Sequence, residues 1–407
     1  MNFINKFLRH SSDNFKNIFI RKQYMKTVSY VLQRSQHVPS TTASNKIIGY
    51  WFLTCGGMVY VAVSLGGITR LTESGLSMVN WKLFGERMPS DNDSWQEEFK
   101  KYQEFPEYKV LNKDMSLEEF KKIWWMEYAH RMWGRLIGAA FFLPATYFWA
   151  TKRFNKNTKK RILMLGGLIG AQGLMGWHMV KSGLEKNLSD PNDIPRVSQY
   201  RLAAHLSFAL ALYVGFLHTA LDYLAPIKIN NMNFFSSQNI QSQYKKIKKL
   251  RFFAQSCKGL IFLTAVSGAF VAGLDAGLIY NSFPKMAESW IPSEIFHLQP
   301  ILRNFTENPA TVQFDHRLLG ISTLCFTTYV GIYSIKYKLH RRACIAAVAM
   351  TVVAYLQASL GILTLLNQVP IPLAASHQAG SVALLSAVTW YCHETKFINK
   401  LKTMKMF

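Results

Sequence analysis

The 407-residue chain has few charged residues, and those few are unevenly distributed. Asp, Glu, Lys and Arg make up 17% of the sequence, against about 25% in a typical soluble domain. Residues 47–69 and 343–393 contain none of them. Because a bilayer core needs roughly 20 apolar residues per helix, both stretches are long enough to span a membrane. The scarcity of charge therefore excludes a soluble globular enzyme and a disordered protein, and it indicates a multi-spanning membrane protein.

Cysteine and acidic residues are both scarce in this chain. The five cysteines are scattered without a CxxC pair, at Cys55, Cys257, Cys325, Cys344 and Cys392. This spacing implies neither a disulfide framework nor a zinc site, so a secreted disulfide scaffold is excluded. The 23 acidic residues are outnumbered by 47 basic ones, which gives a net charge of +24. Because the basic residues lie between apolar segments, they indicate membrane orientation rather than nucleic-acid binding.

The first 46 residues form a distinct basic segment. They contain eight basic residues and a single acid, Asp13, and they are rich in Ser and Asn. No continuous apolar core of the secretory type is present. This composition is typical of a mitochondrial transit peptide, with a basic cytosolic tail as the alternative. We predict import into the mitochondrion and a transit peptide at 1–46.

Eight apolar segments follow this leader, and the loops between them alternate in charge. The segments are 47–69, 123–150, 162–180, 200–223, 259–280, 311–335, 343–366 and 371–392. Loops 151–161, 245–251 and 336–342 are strongly basic, whereas loops 70–122 and 181–197 carry mixed charge. The positive-inside rule places the leader, the basic loops and the C-terminal tail on one side. We predict an all-α integral protein of the mitochondrial inner membrane with eight transmembrane helices and both termini in the matrix.

A weak internal repeat relates the two halves of the chain. Matched in order are 66–76 with 268–278, 130–134 (HRMWG) with 316–320 (HRLLG), Gln172 and Gly176 with Gln357 and Gly361, and His205 with His377. Since an even number of spans returns the chain to its starting side, the halves have parallel orientation. We predict two pseudo-symmetric four-helix bundles at 47–223 and 259–393, with a basic matrix linker at 224–258 and a basic matrix tail at 394–407.

Four histidines occupy equivalent positions of this repeat: His130, His205, His316 and His377. An ionisable group inside a membrane span is a functional candidate, although a lone histidine there is often only hydrogen-bonded to a neighbouring helix. Two imidazoles from facing helices of a bundle can bind one metal from opposite sides, which suits haem iron. Cysteine partners for zinc and a carboxylate ring for calcium or magnesium are missing. We predict that the four histidines are axial ligands of haem iron.

The charged neighbours of these histidines differ between the halves. Arg131 and Arg317 each follow a histidine directly and could hold a haem propionate or extend to the membrane interface. Glu127 precedes His130 by three residues on the same helix face, whereas the second half has Gln313 at that place. A desolvated glutamate can transfer a proton and glutamine cannot. We predict chemistry in the first half and an unreactive haem in the second, with a merely solvated Glu127 as the alternative.

Several sequence blocks, distributed over all the predicted spans, resemble one known family. They are GGITRLTESGLSM (66–78), EYAHRMWGR (127–135), QGLMGWHMVKSGL (172–184), QYRLAAHLSFA (199–209), GLDAGLIYNSFPKM (273–286), FDHRLLG (314–320), QASLGILTLL (357–366) and AASHQAG (374–380). Together they resemble mitochondrial haem A synthase. Bacterial relatives with a cysteine pair in the first outer loop differ, because this chain has no cysteine there. A thiol-based step is therefore not implied.

The resemblance implies an enzyme that oxidises one ring methyl group of haem O to a formyl group, giving haem A for cytochrome c oxidase. It implies that His130 and His205 bind the reacting haem, and that His316 and His377 bind a haem b. Glu127 would be the catalytic residue that handles protons beside the substrate methyl. Ferredoxin and ferredoxin reductase would supply electrons, and haem O synthase and cytochrome c oxidase assembly factors would be partners. Membrane lipid is expected, nucleic acid is not, and homo-oligomer formation is left open.

Two alternatives use the same histidines differently. A di-haem membrane electron-transfer cytochrome would bind both haems and oxidise nothing, and it would need neither Glu127 nor a cleft for a farnesyl tail. A transporter built of repeats would relay protons through the histidines. The glycines at 66–67 and 166–167 instead fit close packing between helices, so the oxidising enzyme is the favoured hypothesis.

Overall fold

The computed structural model describes residues 43–82, 85–184, 196–226, 240–337 and 339–396. Most of the predicted transit peptide, part of the predicted linker and most of the predicted C-terminal tail lie outside these residues. Within the described ranges the chain is helical, and the only extended pairing is an isolated bridge between Met286 and Ser289. The predicted all-α fold class is confirmed.

Eleven α-helices are present in the described part of the chain. In order they are α1 (Ala43–Leu71), α2 (Asn92–Gln103), α3 (Pro106–Leu111), α4 (Leu117–Ala150), α5 (Lys156–Leu184), α6 (Gln199–Leu224), α7 (Ile240–Gly273), α8 (Asn304–Glu307), α9 (Pro309–Lys336), α10 (Arg341–Leu366) and α11 (Ile371–Glu394). Three short 3₁₀ turns lie between α7 and α8, at Ala276–Leu278, Ser293–Phe296 and Ile301–Arg303.

Seven of these helices are long and apolar enough to cross a membrane: α1, α5, α6, α7, α9, α10 and α11. The predicted eighth span, 123–150, does lie in a helix, because α4 covers it completely. Its hydropathy falls short because Arg131 and Arg135 interrupt the apolar sequence, and the charge-free run extends only from 136 to 150. The described residues therefore contain seven candidate spans by composition, rather than the eight predicted.

The predicted span at 259–280 is displaced towards the N-terminus. Helix α7 begins at Ile240, so the basic run at 245–251, which lies in the predicted matrix linker, is helical. The helix ends at Gly273, because Asp275 adopts a left-handed conformation with φ of 52° and a 3₁₀ turn follows. The charge pattern located the basic run correctly, but it contains no signal that separates a loop from an extended helix end.

The outer loop between α1 and α4 folds into a small helical layer. Ser116 caps α4 through a capping box with Glu119, which lets this helix start well before its apolar section. Beside it α2 and α3 bury a cluster of Met78, Tyr102, Phe120 and Trp124. This layer covers the mixed-charge side of the first half, where the loop 88–122 had no predicted structure.

The long helices pair in the same way in both halves. Helix α1 contacts α4 and α6, and α5 contacts α4 and α6; correspondingly, α7 contacts α9 and α11, and α10 contacts α9 and α11. The halves meet where α6 packs on α7 and α11, and where α1 packs on α11. One hydrogen bond across this boundary joins the hydroxyls of Tyr213 and Ser386 at 2.7 Å. An apolar core runs through both halves.

A buried charged cluster joins the helix ends on the other side of the molecule. Asp222, near the end of α6, accepts a hydrogen bond from Arg161 at 2.8 Å and lies 3.3 Å from His393 Nε2. Glu394, at the end of α11, accepts a hydrogen bond from Arg342 at 2.7 Å. Because these partners come from α5, α6, α10 and α11, the cluster ties the ends of four helices together.

Candidate functional site

A cavity of about 1810 Å³ extends through both halves of the helical assembly. Its wall includes His130, His205, His316 and His377, together with Glu127, Gln313, Arg131 and Arg317. Every predicted site residue therefore lines the same space. The cavity is formed by α1 and α4–α6 on one side and by α7 and α9–α11 on the other.

Each histidine packs against a glycine of a neighbouring helix. A Cβ atom on the glycine would lie 3.1 Å from the ring of His130 (Gly66), 3.3 Å from His205 (Gly176), 3.3 Å from His316 (Gly268) and 2.7 Å from His377 (Gly361). Any larger residue would push the ring away, since contacts this close are tighter than van der Waals packing allows. The four glycines are repeat partners, and they set where the imidazoles lie.

The two histidines of the second half are spaced to bind one metal. The ring centroids of His316 and His377 are 6.4 Å apart, and the ring planes are perpendicular. Two imidazoles with metal–nitrogen bonds of about 2.0 Å on opposite sides of one ion would have centroids roughly 6.3 Å apart. The observed centroid separation is close to this value.

In the first half, His205 retains an unused coordinating atom. Its Nδ1 is buried and has no hydrogen-bond partner among the described residues, and its Nε2 lies 3.2 Å from Gln172 Nε2. His130 lines the same cavity. A buried unpartnered ring nitrogen is costly unless something satisfies it, and a bound metal would do so.

Glu127 is the centre of a buried polar network rather than a free carboxylate. One oxygen accepts hydrogen bonds from Ser77 Oγ at 2.7 Å and from the Met78 backbone N–H at 2.8 Å. The other accepts from Arg131 at 2.5 Å. Arg131 also donates to the carbonyls of Met78 and Asn80, at 2.8 and 2.7 Å. Glu127 and Arg131 together therefore fasten the loop after α1 onto α4.

The second half contains the matching network with an amide in place of the carboxylate. Gln313 Nε2 donates to the carbonyls of Ala276 and Tyr280, at 2.9 and 3.1 Å. Arg317 donates to Gln313 Oε1 at 3.2 Å and to the Tyr280 carbonyl at 2.9 Å. Hydrogen bonds from α9 thus hold the loop that follows α7, just as hydrogen bonds from α4 hold the loop that follows α1. Arg317 Nε is buried and without a hydrogen-bond partner in the described ranges.

The hydrogen bonds of the histidines involve residues that sequence reasoning assigned no role. Gln357 Nε2 lies 3.1 Å from His377 Nδ1, and Ser267 Oγ lies 2.7 Å from His316 Nδ1. The repeat had shown Gln172 and Gln357 as matched positions, which was a usable signal. Ser267 was missed because the residue at its matched position is Leu65, so the repeat alignment carries no mark there.

A second buried carboxyl group, also unforeseen, lines the cavity from the outer layer. Glu107 on α3 is 6% exposed and accepts a hydrogen bond from the Tyr102 hydroxyl at 3.1 Å. Burial raises the pKa of Glu107 to about 8, because a low-dielectric surrounding disfavours the charged form. The sequence around Glu107 has no motif that distinguishes it from other acids of the loop.

Comparison with known proteins identifies a family for this chain. The family model of cytochrome oxidase assembly proteins, COX15-CtaA, matches residues 49–389. Heme A synthase COX15 of Bos taurus is 52% identical over 381 residues, covering 93% of this chain and 89% of the relative. Heme A synthase COX15 of Homo sapiens is 51% identical, with coverage of 93% and 90%.

The histidine-lined cavity and the seven helices long enough to cross a membrane define the class as a helical membrane protein with an internal ligand cavity. The sequence match then specifies the group within that class. This chain belongs to the COX15-CtaA family of cytochrome oxidase assembly proteins. The resemblance noted in the sequence is thereby confirmed.

Proposed function

We propose that this protein is a haem A synthase, which oxidises a ring methyl group of haem O to the formyl group of haem A for cytochrome c oxidase. Family membership over most of the chain supports the reaction. The observation that carries the proposal is one cavity lined by two pairs of histidines. Each histidine packs against a glycine, and the glycines of one half match those of the other half in the repeat.

The architecture in this proposal consists of eight spans in two pseudo-symmetric four-helix bundles. Helix α4 is the eighth span, with its charged first turns in the outer layer and its apolar part in the bilayer. The identical helix pairings of the two halves support the symmetry. Matched loop fastenings by Glu127 with Arg131 and by Gln313 with Arg317 support it independently.

The second half is the proposed haem b site, and His316 and His377 are the residues that would hold the haem. Their 6.4 Å centroid separation is the supporting observation. Arg317 keeps an unpartnered buried Nε on the cavity wall, which suits a carboxylate such as a propionate. A haem b bound there would carry electrons, and the chain's own residues would hold its orientation and potential.

The first half is the proposed site for the substrate haem O, held by His130 and His205. Four glycines on the cavity wall, Gly134, Gly138, Gly170 and Gly173, have only open space where a side chain would project. Among the described glycines of α9–α11, Gly320 alone has such open space at the position of a side chain. The wall of α4 and α5 therefore leaves more room for a long prenyl substituent.

Glu127 is the proposed catalytic residue, because it lines the cavity less than one helical turn from His130. Gln313 takes the same place in the second half, so the acid is the chemical difference between the two networks. Arg131 fixes the orientation of this carboxylate and contributes its remaining N–H groups to the polar end of the substrate site. The carboxylate can then accept or return a proton at a defined position.

The electron supply in this proposal is a matrix ferredoxin with its reductase. A relative from Schizosaccharomyces pombe, 39% identical over 401 residues, is named "Heme A synthase-mitochondrial ferredoxin fusion protein". The match covers 94% of this chain and 64% of the relative, and the name supports the ferredoxin supply. The proposal also includes a multi-pass location in the mitochondrial inner membrane with both termini in the matrix, and action beside haem O synthase and the oxidase assembly factors.

Haem extraction and chromatography of the purified protein test the proposal. We expect haem b together with haem O or its oxidised products. His316→Ala should lose the haem b and His130→Ala the other haem, whereas His178→Ala, an exposed histidine of α5, should keep both. Haem b alone in wild type would favour the di-haem cytochrome, and a protein without haem would refute both readings.

A further inference from the structure

Ser267 on α7 contacts one ligand candidate. Its Oγ lies 2.8 Å from the Thr264 carbonyl oxygen and 2.7 Å from His316 Nδ1. The hydroxyl has one proton, and when it donates that proton to the carbonyl its oxygen can accept a hydrogen bond from Nδ1–H. That arrangement leaves Nε2 of His316 as the unprotonated nitrogen able to bind a metal.

The first half lacks this arrangement. The residue before Gly66 is Leu65, as Ser267 is the residue before Gly268. A leucine side chain accepts no hydrogen bond, so position 65 cannot hold the ring of His130 in this way. The ring of His130 also turns its Nε2 towards Gly66, whereas His316 turns Cε1 towards Gly268. The two rings differ in how they are held, although both stand on equivalent helices.

We propose that Ser267 is a positioning residue that locks His316 as a permanent iron ligand, and that Leu65 leaves His130 able to dissociate and admit a small ligand to the first-half iron. The inference rests on the proposed function, since it requires one haem in each half. When one ring nitrogen of a histidine binds a metal, a hydrogen bond from the N–H of the other nitrogen fixes the ring and raises its basicity. Removing that hydrogen bond typically costs about 10- to 100-fold in affinity for the metal.

The assignment matches the different demands on the two halves. A site that only passes electrons works best with two fixed ligands, whereas an oxidation at the other site needs an accessible iron position. The chain meets these demands with a single exchange, serine for leucine, at matched positions of the repeat. No movement of a helix is required.

Carbon monoxide binding to the dithionite-reduced, haem-loaded protein is the test. The formyl group of haem A shifts its absorption well away from that of haem b, so a protein whose first half holds haem A reports each half by itself. In wild type we expect the signal from the first-half haem alone. Ser267→Ala should make the haem b responsive and weaken its retention by about 10- to 100-fold, and Ser267→Thr, which keeps the hydroxyl, should restore wild-type behaviour. Leu65→Ser should suppress the first-half signal.

Haem content measured on the same samples separates the two proposals. An unresponsive and fully retained haem b in Ser267→Ala, or an undiminished signal in Leu65→Ser, would overturn the assignment of Ser267 and Leu65. Loss of the wrong haem in His316→Ala would instead overturn the placement of the haems. If Ser267→Ala retains no haem b, the comparison of Leu65→Ser with wild type decides the question.

Discussion

Replacing Glu127 with glutamine would make the hydrogen-bond network of the first half resemble that of the second, where Gln313 supplies an amide at the matching position. The ion pair between Glu127 and Arg131 is buried, with side chains 3% and 9% exposed. Glutamine has one acceptor oxygen, so keeping the bonds from Ser77 and Met78 leaves its amide nitrogen facing the Arg131 guanidinium. Removing one partner of a buried ion pair typically costs about 3–5 kcal/mol.

Part of this cost is offset, because Arg131 keeps its bonds to the carbonyls of Met78 and Asn80. We therefore expect Glu127→Gln to lower the free energy of unfolding by about 3 kcal/mol, at the lower end of that range. Conversion of haem O to haem A should fall at least tenfold, since the carboxylate is both lost from the cavity wall and no longer holds the loop.

The assay is a double-mutant cycle in mixed micelles, with Glu127→Gln, Arg131→Gln and the double variant. A buried pair predicts a coupling energy of about 2 kcal/mol or more, because the double variant leaves no unpaired charge. Gln313→Glu is the matched control. Its carboxylate would face the carbonyls of Ala276 and Tyr280, so it should be destabilising and should release haem b. Additive effects in the cycle, with haem A formation intact in Glu127→Gln, would refute the reasoning.

Two further predictions concern Gly361, which packs against His377, and Glu107 in the outer layer. Gly361→Ala places a Cβ 2.7 Å from His377, so haem b content should fall several-fold, while Gly320→Ala, with open space at its Cβ, should retain it; equal retention would contradict the packing argument. Burial raises the pKa of Glu107 from its ordinary 4.5 to about 8. Between these pH values the folded state binds a proton that the unfolded state does not, so the free energy of unfolding falls as pH rises through this window. Glu107→Gln should remove that pH dependence in hydrogen exchange of α3 measured at about pH 5 and about pH 9, and an unchanged slope would show that Glu107 is not its source.

Those membrane-spanning helices that coincide with long charge-free runs were predictable from the sequence. The charge-free runs at 47–69 and 343–393 predicted α1, α10 and α11. Prediction failed where a helix continues beyond its apolar part, as α7 does into the basic run at 245–251. Lysine and arginine are compatible with helix in water, so their presence marks the end of the apolar region and not the end of the helix.

The site was predictable to the level of residue identity but not of hydrogen bonding. The repeat identified His130, His205, His316 and His377, and all four line one cavity. The roles foreseen for Arg131 and Arg317 were incomplete, because their guanidinium groups also hold loop carbonyls. Those carbonyls belong to loop backbone whose position depends on the turn before it, and no pattern of side chains in the sequence predicts that position.

By itself the sequence determined the helical membrane class and indicated the repeat and the four candidate histidines, because each depends on hydrophobicity and spacing along the chain. The tertiary structure alone decided the 6.4 Å separation of His316 and His377, the burial of Glu107 under the outer layer, and the contact between Ser267 and His316. These contacts join residues on separate helices, and their distances depend on how closely glycines let those helices approach.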